Sequence, residues 1–141
     1  MDQIEKTIFL EASPERVWDF LTQADLLALW FQPAQSDLEA GQSYGLLNSD
    51  RDPEAQCWGE VLEADRPHRL VYSFTHTWLE GRMTRVEWTL TEFAQGTHLR
   101  LVHDGFAKAA ADPFKSLCDH DVGWDGHLSR LRVEAKIAVA A

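Results

Sequence analysis

Residues 69–105 read RLVYSFTHTWLEGRMTRVEWTLTEFAQGTHLRLVHDG, and apolar side chains recur there at every second position. A period of two is typical of a β-strand with one buried face. Turn residues at Glu80-Gly81 and Gln95-Gly96 divide the stretch in the way that turns separate the strands of hairpins. The pattern therefore predicts three antiparallel strands, at 69–78, 83–93 and 97–105.

The apolar positions of these strands share one face, which we expect to be buried. They are Leu70, Tyr72 and Phe74 in the first strand, Val86, Trp88 and Leu90 in the second, and Leu99, Leu101 and His103 in the third. The opposite positions include Arg85, Glu87, Thr89, His98 and Arg100. One dry and one polar face are typical of an antiparallel sheet that is covered on a single side.

Three further strands are predicted upstream of this stretch. The first is marked by Ile4, Lys6, Ile8 and Leu10, which alternate with Glu5, Thr7, Phe9 and Glu11. Two more occupy about 42–47 and 56–64, with turns predicted from Asn48 to Pro53 and from Asp65 to Pro67. Together the segments predict a curved antiparallel sheet of about six strands.

Two short helices are predicted directly after the first strand. Ser13, Pro14 and Glu15 supply an N-cap hydroxyl, a proline at the first helical position and an acid suited to the helix dipole. The apolar stripe of the first helix is Val17, Phe20 and Leu21. The second helix presents Leu26, Leu29 and Trp30, and Pro33 ends it.

A long C-terminal helix is predicted after Asp112-Pro113, where the cap-plus-proline signal recurs and no later proline follows. Gly123 and Trp124 are expected to face the sheet. A glycine inside a helix costs about 1 kcal/mol relative to alanine, so Gly123 and Gly126 suggest close packing or room for a ligand. The predicted buried face comprises positions 114, 117, 118, 121, 124, 125, 128, 131, 132, 135, 138 and 139, of which nine are apolar.

Composition bounds the class of protein. The chain has 141 residues, 45% apolar and 26% charged, which predicts a single domain spanning 1–141. Its formal charge of −10 repels phosphate backbones and anionic lipid surfaces, so nucleic acid is not an expected partner. No apolar run approaches the roughly 18 residues of a spanning helix, so no membrane insertion is expected.

Compartment and assembly are also expectations from the sequence. The N-terminus Met1-Asp2-Gln3-Ile4-Glu5 lacks the features of a secretion signal, which indicates a cytoplasmic protein, either monomer or homodimer. Cys57 and Cys118 are far apart in the chain, and we expect both to be reduced and packed.

Short segments along the chain form a recognisable combination. They are Val17-Trp18, Phe20-Leu21-Thr22, Leu29-Trp30-Phe31, Gly59 to Glu63, Pro67, Arg69 to Tyr72, Gly96-Thr97, Leu99, Leu101, His103, Gly105, His120, Gly123-Trp124, Leu128 and Leu131. These segments and the order of elements resemble the START-like, or SRPBCC, superfamily, and within it the family of activator of Hsp ATPase homologue-like proteins. The resemblance covers about residues 4–135 and implies a helix-grip fold with a cavity between the sheet and the last helix. The eukaryotic activators carry a separate N-terminal chaperone-binding domain, and this chain opens in the first strand, so Hsp activation is not expected.

Aromatic and histidine side chains are the candidate ligand-binding residues, because ligand sites are mostly apolar with a few polar groups. They are Trp30, Phe31, Tyr72, Phe74, Trp88, His103, His120 and Trp124. Plain core is the alternative interpretation for each of them. His103 and His120 are expected to border one space and, if buried, to have pKa values below the ordinary value of about 6.5.

Three functions remain open from the sequence. The preferred hypothesis is the binding of a hydrophobic or aromatic small molecule, with no catalytic residue, metal or cofactor predicted. A cavity enzyme of cyclase or hydrolase type, using an inward histidine as base, is one alternative, and a co-chaperone-like interaction module is the other. His120 and His127 lack the i, i+4 spacing of helical zinc ligands, and Asp121 and Asp125 are more typical of a solvated helix edge than of a cation site.

Overall fold

The period-two segments form one antiparallel sheet of six strands in the computed structural model, which describes residues 3–47 and 55–140. The turn predicted from Asn48 to Pro53 lies outside these residues. The predicted strands are confirmed to within about two residues. They are β1 (Ile4–Leu10), β2 (Ser43–Leu47), β3 (Ala55–Asp65), β4 (Arg69–His76), β5 (Thr84–Phe93) and β6 (Gly96–Asp104).

The strand order is β1-β6-β5-β4-β3-β2, so the first strand pairs with the last one. Leu70 faces Trp88 across β4 and β5, and Trp88 faces Leu101 across β5 and β6, which gives the predicted dry face a common register. A register shift between Val61 and Glu63 interrupts the pairing of β3 with β4. Such irregularities bend a strand and add to the curvature of the sheet.

The two short helices are α1 (Pro14–Thr22) and α2 (Ala24–Trp30). Ser13 caps α1 as predicted, its hydroxyl accepting from the Arg16 amide at 3.3 Å. The predicted face of α2 is wrong in part, because Leu29 is 50% exposed while Leu27 is buried. The indole Nε1 of Trp30 donates to the carbonyl of Phe20 at 2.8 Å, and this turns Leu27, one helical turn earlier, toward the core.

The long helix, α4 (Pro113–Ala140), follows a short helix, α3 (Phe106–Ala109), that the sequence pattern did not indicate. The helix-grip arrangement is confirmed, with α4 across the dry face of the sheet. Within residues 3–47 and 55–140, no helix combines the length and apolarity needed to span a membrane. Within residues 113–136, the side chains that α4 buries are those of Trp124, Leu128, Leu131 and Ala135. Trp124 thus faces the sheet as predicted, whereas Gly123 is exposed.

The predicted α4 face is wrong in part. Phe114 is 76% exposed and Cys118 is exposed, so only Cys57 of the two free cysteines is packed. Leu117 is half-buried as predicted, and His120, outside the predicted face, is half-buried as well.

The polar positions of the predicted face, Asp121, Asp125 and Arg132, are also exposed, and positions 138 and 139 lie outside the part of α4 whose side chains are described. The Nζ atom of Lys6 on β1 lies 2.7 Å from Asp121 and 2.9 Å from Asp125, so this pair of carboxylates binds a cation of the chain itself.

The other face of the sheet is polar, as predicted. Glu87 on β5 lies between guanidinium groups from neighbouring strands, 2.8 Å from Arg69 and 3.9 Å from Arg100. These pairs are partly exposed, so each contributes at most about 1 kcal/mol. Because these ion pairs contribute little, the sheet is stabilised mainly by packing on the face that α4 covers.

A matched pair of glycine substitutions tests this packing. A Cβ on Gly59 would lie 1.9 Å from the carbonyl oxygen of Ser73, so Gly59→Ala is expected to cost about 3 kcal/mol or more. A Cβ on Gly123 of α4 meets nothing within 4 Å, so Gly123→Ala is expected to stabilise the fold by about 1 kcal/mol. Urea unfolding measures both, and equal effects would contradict the described contacts.

The phase of α4 is tested by two truncations on the same helix. Trp124→Ala is expected to cost about 3–5 kcal/mol because the side chain is 3% exposed. Phe114→Ala is the control and should change stability by no more than about 0.5 kcal/mol, because that ring is 76% exposed. A loss under about 1 kcal/mol for Trp124→Ala in urea melts would show that the phase is wrong.

Candidate functional site

A cavity of about 680 Å³ lies between the first half of α4 and the ends of β3 and β4. Six aromatic or imidazole rings line it: Phe31, Phe74, His76, His120, Trp124 and His127. Gln32 and Cys57 add two uncharged polar groups, and the exposed side chains of Asp112, Lys115 and Asp119 surround the opening. The walls are therefore mostly aromatic, with charges only at the rim.

The predicted site residues divide into two layers. Phe31, Phe74, His120 and Trp124 line the cavity, and the Phe31 ring lies 5.3 Å from that of Trp124. The other four are buried behind this wall as core: Trp30, Tyr72, Trp88 and His103, each no more than 3% exposed. For these four the structure corresponds to the plain-core alternative, and His103 does not line the cavity that His120 lines, contrary to the expectation that both border one space.

His103 is held at both ring nitrogens. The indole Nε1 of Trp124, which can only donate, lies 3.0 Å from His103 Nδ1, so Nδ1 accepts. The proton of the neutral ring is therefore on Nε2, which donates to the Thr84 hydroxyl at 2.7 Å. Thr84 in turn donates to the carbonyl of Phe74 at 2.6 Å.

This hydrogen-bond chain requires an uncharged His103. Burial, and then the nearby rings of His120 and His76, hold the pKa of His103 well below its ordinary value of 6.5. A proton added at Nδ1 would face the indole N–H of Trp124. His103 therefore positions Trp124 and has no ring nitrogen left for a ligand.

Tyr72 is similarly engaged within the core. Its hydroxyl accepts a hydrogen bond from the indole Nε1 of Trp88 at 3.0 Å. Burial raises the pKa of the Tyr72 hydroxyl above its ordinary value of 10.0, so the phenol stays neutral. The partner expected for a buried phenol is thus another core side chain.

His76, which sequence reasoning missed, faces His120 inside the cavity wall. The two rings are stacked with centroids 5.0 Å apart, and their Nε2 atoms are separated by 2.9 Å. His76 stands two residues after Phe74 and so continues the alternation of Leu70, Tyr72 and Phe74. This alternation is the sequence signal from which the inward orientation of His76 could have been predicted.

A backbone carbonyl determines which ring nitrogen of each imidazole in this pair carries the proton. His120 Nδ1 lies 2.7 Å from the carbonyl of Ser116, which can only accept, so His120 carries its proton on Nδ1. Its Nε2 is then the acceptor, and His76 Nε2–H is the donor. Burial lowers the pKa of His120, and burial followed by repulsion from His120 lowers the pKa of His76 to about 4.

His127 also lines the cavity. The sequence analysis considers this residue only as a possible metal ligand. The Arg130 guanidinium donates to its Nδ1 at 2.6 Å, and its ring lies 4.8 Å from that of Phe31. Burial, with Arg130 nearby, lowers the pKa of His127 to about 4. It lies two helical turns after His120, so the same face of α4 presents both imidazoles to the cavity.

The Cys57 thiol is a further uncharged group of the wall. Burial raises the pKa of the Cys57 thiol to about 12, so it is not a thiolate nucleophile near neutral pH. Among residues 3–47 and 55–140, no three His, Cys, Asp or Glu side chains converge as metal ligands would. The arrangement offers aromatic surface and neutral hydrogen-bonding groups.

Stability is expected to fall as the pH drops below 6.5, because the folded pKa values of His76 and His127 are about 4 and that of His103 is also lowered. Below 6.5 the unfolded chain binds protons that the folded chain excludes, while above 6.5 both states are neutral. Each such histidine contributes about 1.4 kcal/mol per pH unit within this window. Urea unfolding between pH 7 and 5 measures the slope.

His103→Gln is the control for this slope. Glutamine keeps an acceptor for Trp124 and a donor for Thr84 but does not titrate, so the dependence on pH should weaken by about one proton. An unchanged slope in the variant would contradict the neutral, buried assignment of His103.

Comparison with solved structures gives the fold. CalU16 from Micromonospora echinospora has a TM-score of 0.74 at 26% identity, over 92% of this chain and 73% of that one. DynU16, described as a protein in the dynemicin biosynthetic locus, has a TM-score of 0.79 at 22% identity. The match covers 96% of this chain and 48% of DynU16, so the chain spans about half of that protein's length.

An HSP90 activator from Plasmodium falciparum is also similar, with a TM-score of 0.72 at 21% identity, over 93% of this chain and 94% of that one. No curated protein matches the chain in sequence. The family described as Activator of Hsp90 ATPase homolog 1-like protein matches residues 11–136. The chain therefore belongs to that family, within the START-like superfamily that its helix-grip fold indicates.

Proposed function

We propose that this protein binds a neutral apolar or aromatic small molecule in the cavity between the sheet and α4. The observation that carries the proposal is the aromatic wall around a space of about 680 Å³, a volume in the range of ligand sites. Phe31, Phe74 and Trp124 offer ring faces and edges to a planar guest. The helix-grip fold of the family is commonly a ligand-binding fold.

The protonation of the wall favours an uncharged ligand. His76 and His127 are neutral near pH 7, with pKa values of about 4, and Cys57 is a thiol, with a pKa of about 12. The Lys115 ammonium at the rim is paired with Asp119 at 3.1 Å. A charged group inside would lose hydration without a counter-charge on the wall, which is costly.

Gly123 supports the proposal from the helix side. A glycine within α4 costs helix stability, and a Cβ there would meet nothing within 4 Å. Close packing therefore does not explain this glycine, whereas room for a ligand beside Trp124 does.

The alternatives have less support. A cavity enzyme with His103 as base lacks a ring nitrogen for the substrate, because Trp124 and Thr84 occupy both. A co-chaperone role has only the likeness in fold to the Plasmodium activator, at 21% identity.

The proposal is tested by filling the cavity from Gly123. The neutral fluorophore N-phenyl-1-naphthylamine is expected to bind the protein saturably at one site. Gly123→Phe should weaken that binding by tenfold or more, because the new ring occupies the space that a Cβ of Gly123 would enter.

Gly126→Phe is the matched control, since Gly126 is exposed on the same helix and does not line the cavity. Its affinity for the fluorophore should remain within about twofold of the unmodified protein. No saturable binding, or equal weakening in both variants, would rule out this cavity as the site.

A further inference from the structure

The pair His76 and His120 presents one donor and one acceptor to the cavity at nearly one point. His76 Nε2–H and His120 Nε2 lie 2.9 Å apart and satisfy each other. Both residues line the cavity, so a ligand that enters meets this pair directly. A ligand group that replaces the hydrogen bond between the two imidazoles must supply both an acceptor for His76 and a donor for His120.

A hydroxyl group is the smallest unit that does this with one atom. Its oxygen accepts from His76 Nε2–H, and its proton goes to His120 Nε2, so one imidazole–imidazole bond is exchanged for two bonds to the ligand. A carbonyl or ether oxygen only accepts, and inserting it would leave His120 Nε2 unpaired in an apolar setting. An unpaired buried acceptor costs more than a net hydrogen bond gains.

The two imidazoles are held by different neighbours. His120 is anchored by its Nδ1–H to the carbonyl of Ser116 at 2.7 Å, within α4. His76 is the last residue of β4 and is paired with Cys57 of β3. For a hydroxyl to bridge the pair, the two imidazoles must turn apart about their side-chain dihedral angles while the backbones of β4 and α4 stay in place.

We infer that the cavity selects ligands carrying a hydroxyl on an aromatic ring, which bridges His76 and His120. This inference rests on the proposed function and adds the ligand class. The ring that bears the hydroxyl packs against the aromatic wall, where Phe74 lies 6.1 Å from His76 and Phe31 lies 5.3 Å from Trp124. His76 and His120 are then specificity-determining residues of the site.

Calorimetric titration with 2-naphthol and 2-methoxynaphthalene at pH 7 tests the inference, because the probes differ only in the hydroxyl proton and a methyl group. The unmodified protein is expected to bind 2-naphthol about tenfold more tightly, the value of about one added hydrogen bond. His76→Phe should reduce this ratio to about one. His98→Phe, on the polar face of β6, is the control and should keep the ratio.

A second measurement does not depend on a variant that folds. In the unmodified protein, 2-naphthol should shift the ring ¹⁵N resonances of His76 and His120 and leave those of His103 unchanged, because Trp124 and Thr84 hold that ring. Equal affinity for the two probes, or unchanged His76 and His120 resonances at saturation, would overturn the inference while binding in the cavity stands. Failure of both probes to bind would overturn the proposed function as well.

Discussion

The hydrogen-bond chain from Trp124 through His103 and Thr84 to the carbonyl of Phe74 is the interaction on which the site depends. It joins α4 to β6, β5 and β4 through three bonds of 3.0, 2.7 and 2.6 Å. Each bond lies in the core, where an unsatisfied partner costs about 1–3 kcal/mol, so the four groups fix one another. The phase of α4 follows from it, and with that phase His120 comes within reach of His76.

Neutral histidine is the second constraint on the site, and it follows from burial. Burial disfavours the charged imidazolium, and together with nearby His120 and Arg130 it lowers the pKa values of His76 and His127 to about 4. Neutral imidazoles both donate and accept, whereas imidazolium ions only donate. Protonation of these imidazoles below pH 6.5 costs stability, so the fold is most stable at the pH where they can both donate and accept hydrogen bonds.

Much of the fold was predictable from periodicity. The alternation of Leu70, Tyr72 and Phe74 predicted β4 and its buried face, because a strand reverses the direction of its side chains at each residue. The same alternation places His76 on the buried face, but the sequence does not indicate that His120 of α4 lies next to it. The α4 face was harder to predict, because Phe114 extends an apolar stripe that the fold leaves exposed.

The sequence by itself determined the six strands, the long last helix, the family and the aromatic composition of the buried side, since these depend on local period and composition. Only the tertiary structure decided which rings line the cavity and which stand behind it. His103 and His120 have the same side chain but different surroundings, because one is held at both nitrogens in the core and the other has its Nε2 at the cavity wall. That difference arises from contacts between residues up to 44 positions apart, as for His76 and His120, and no local pattern encodes it.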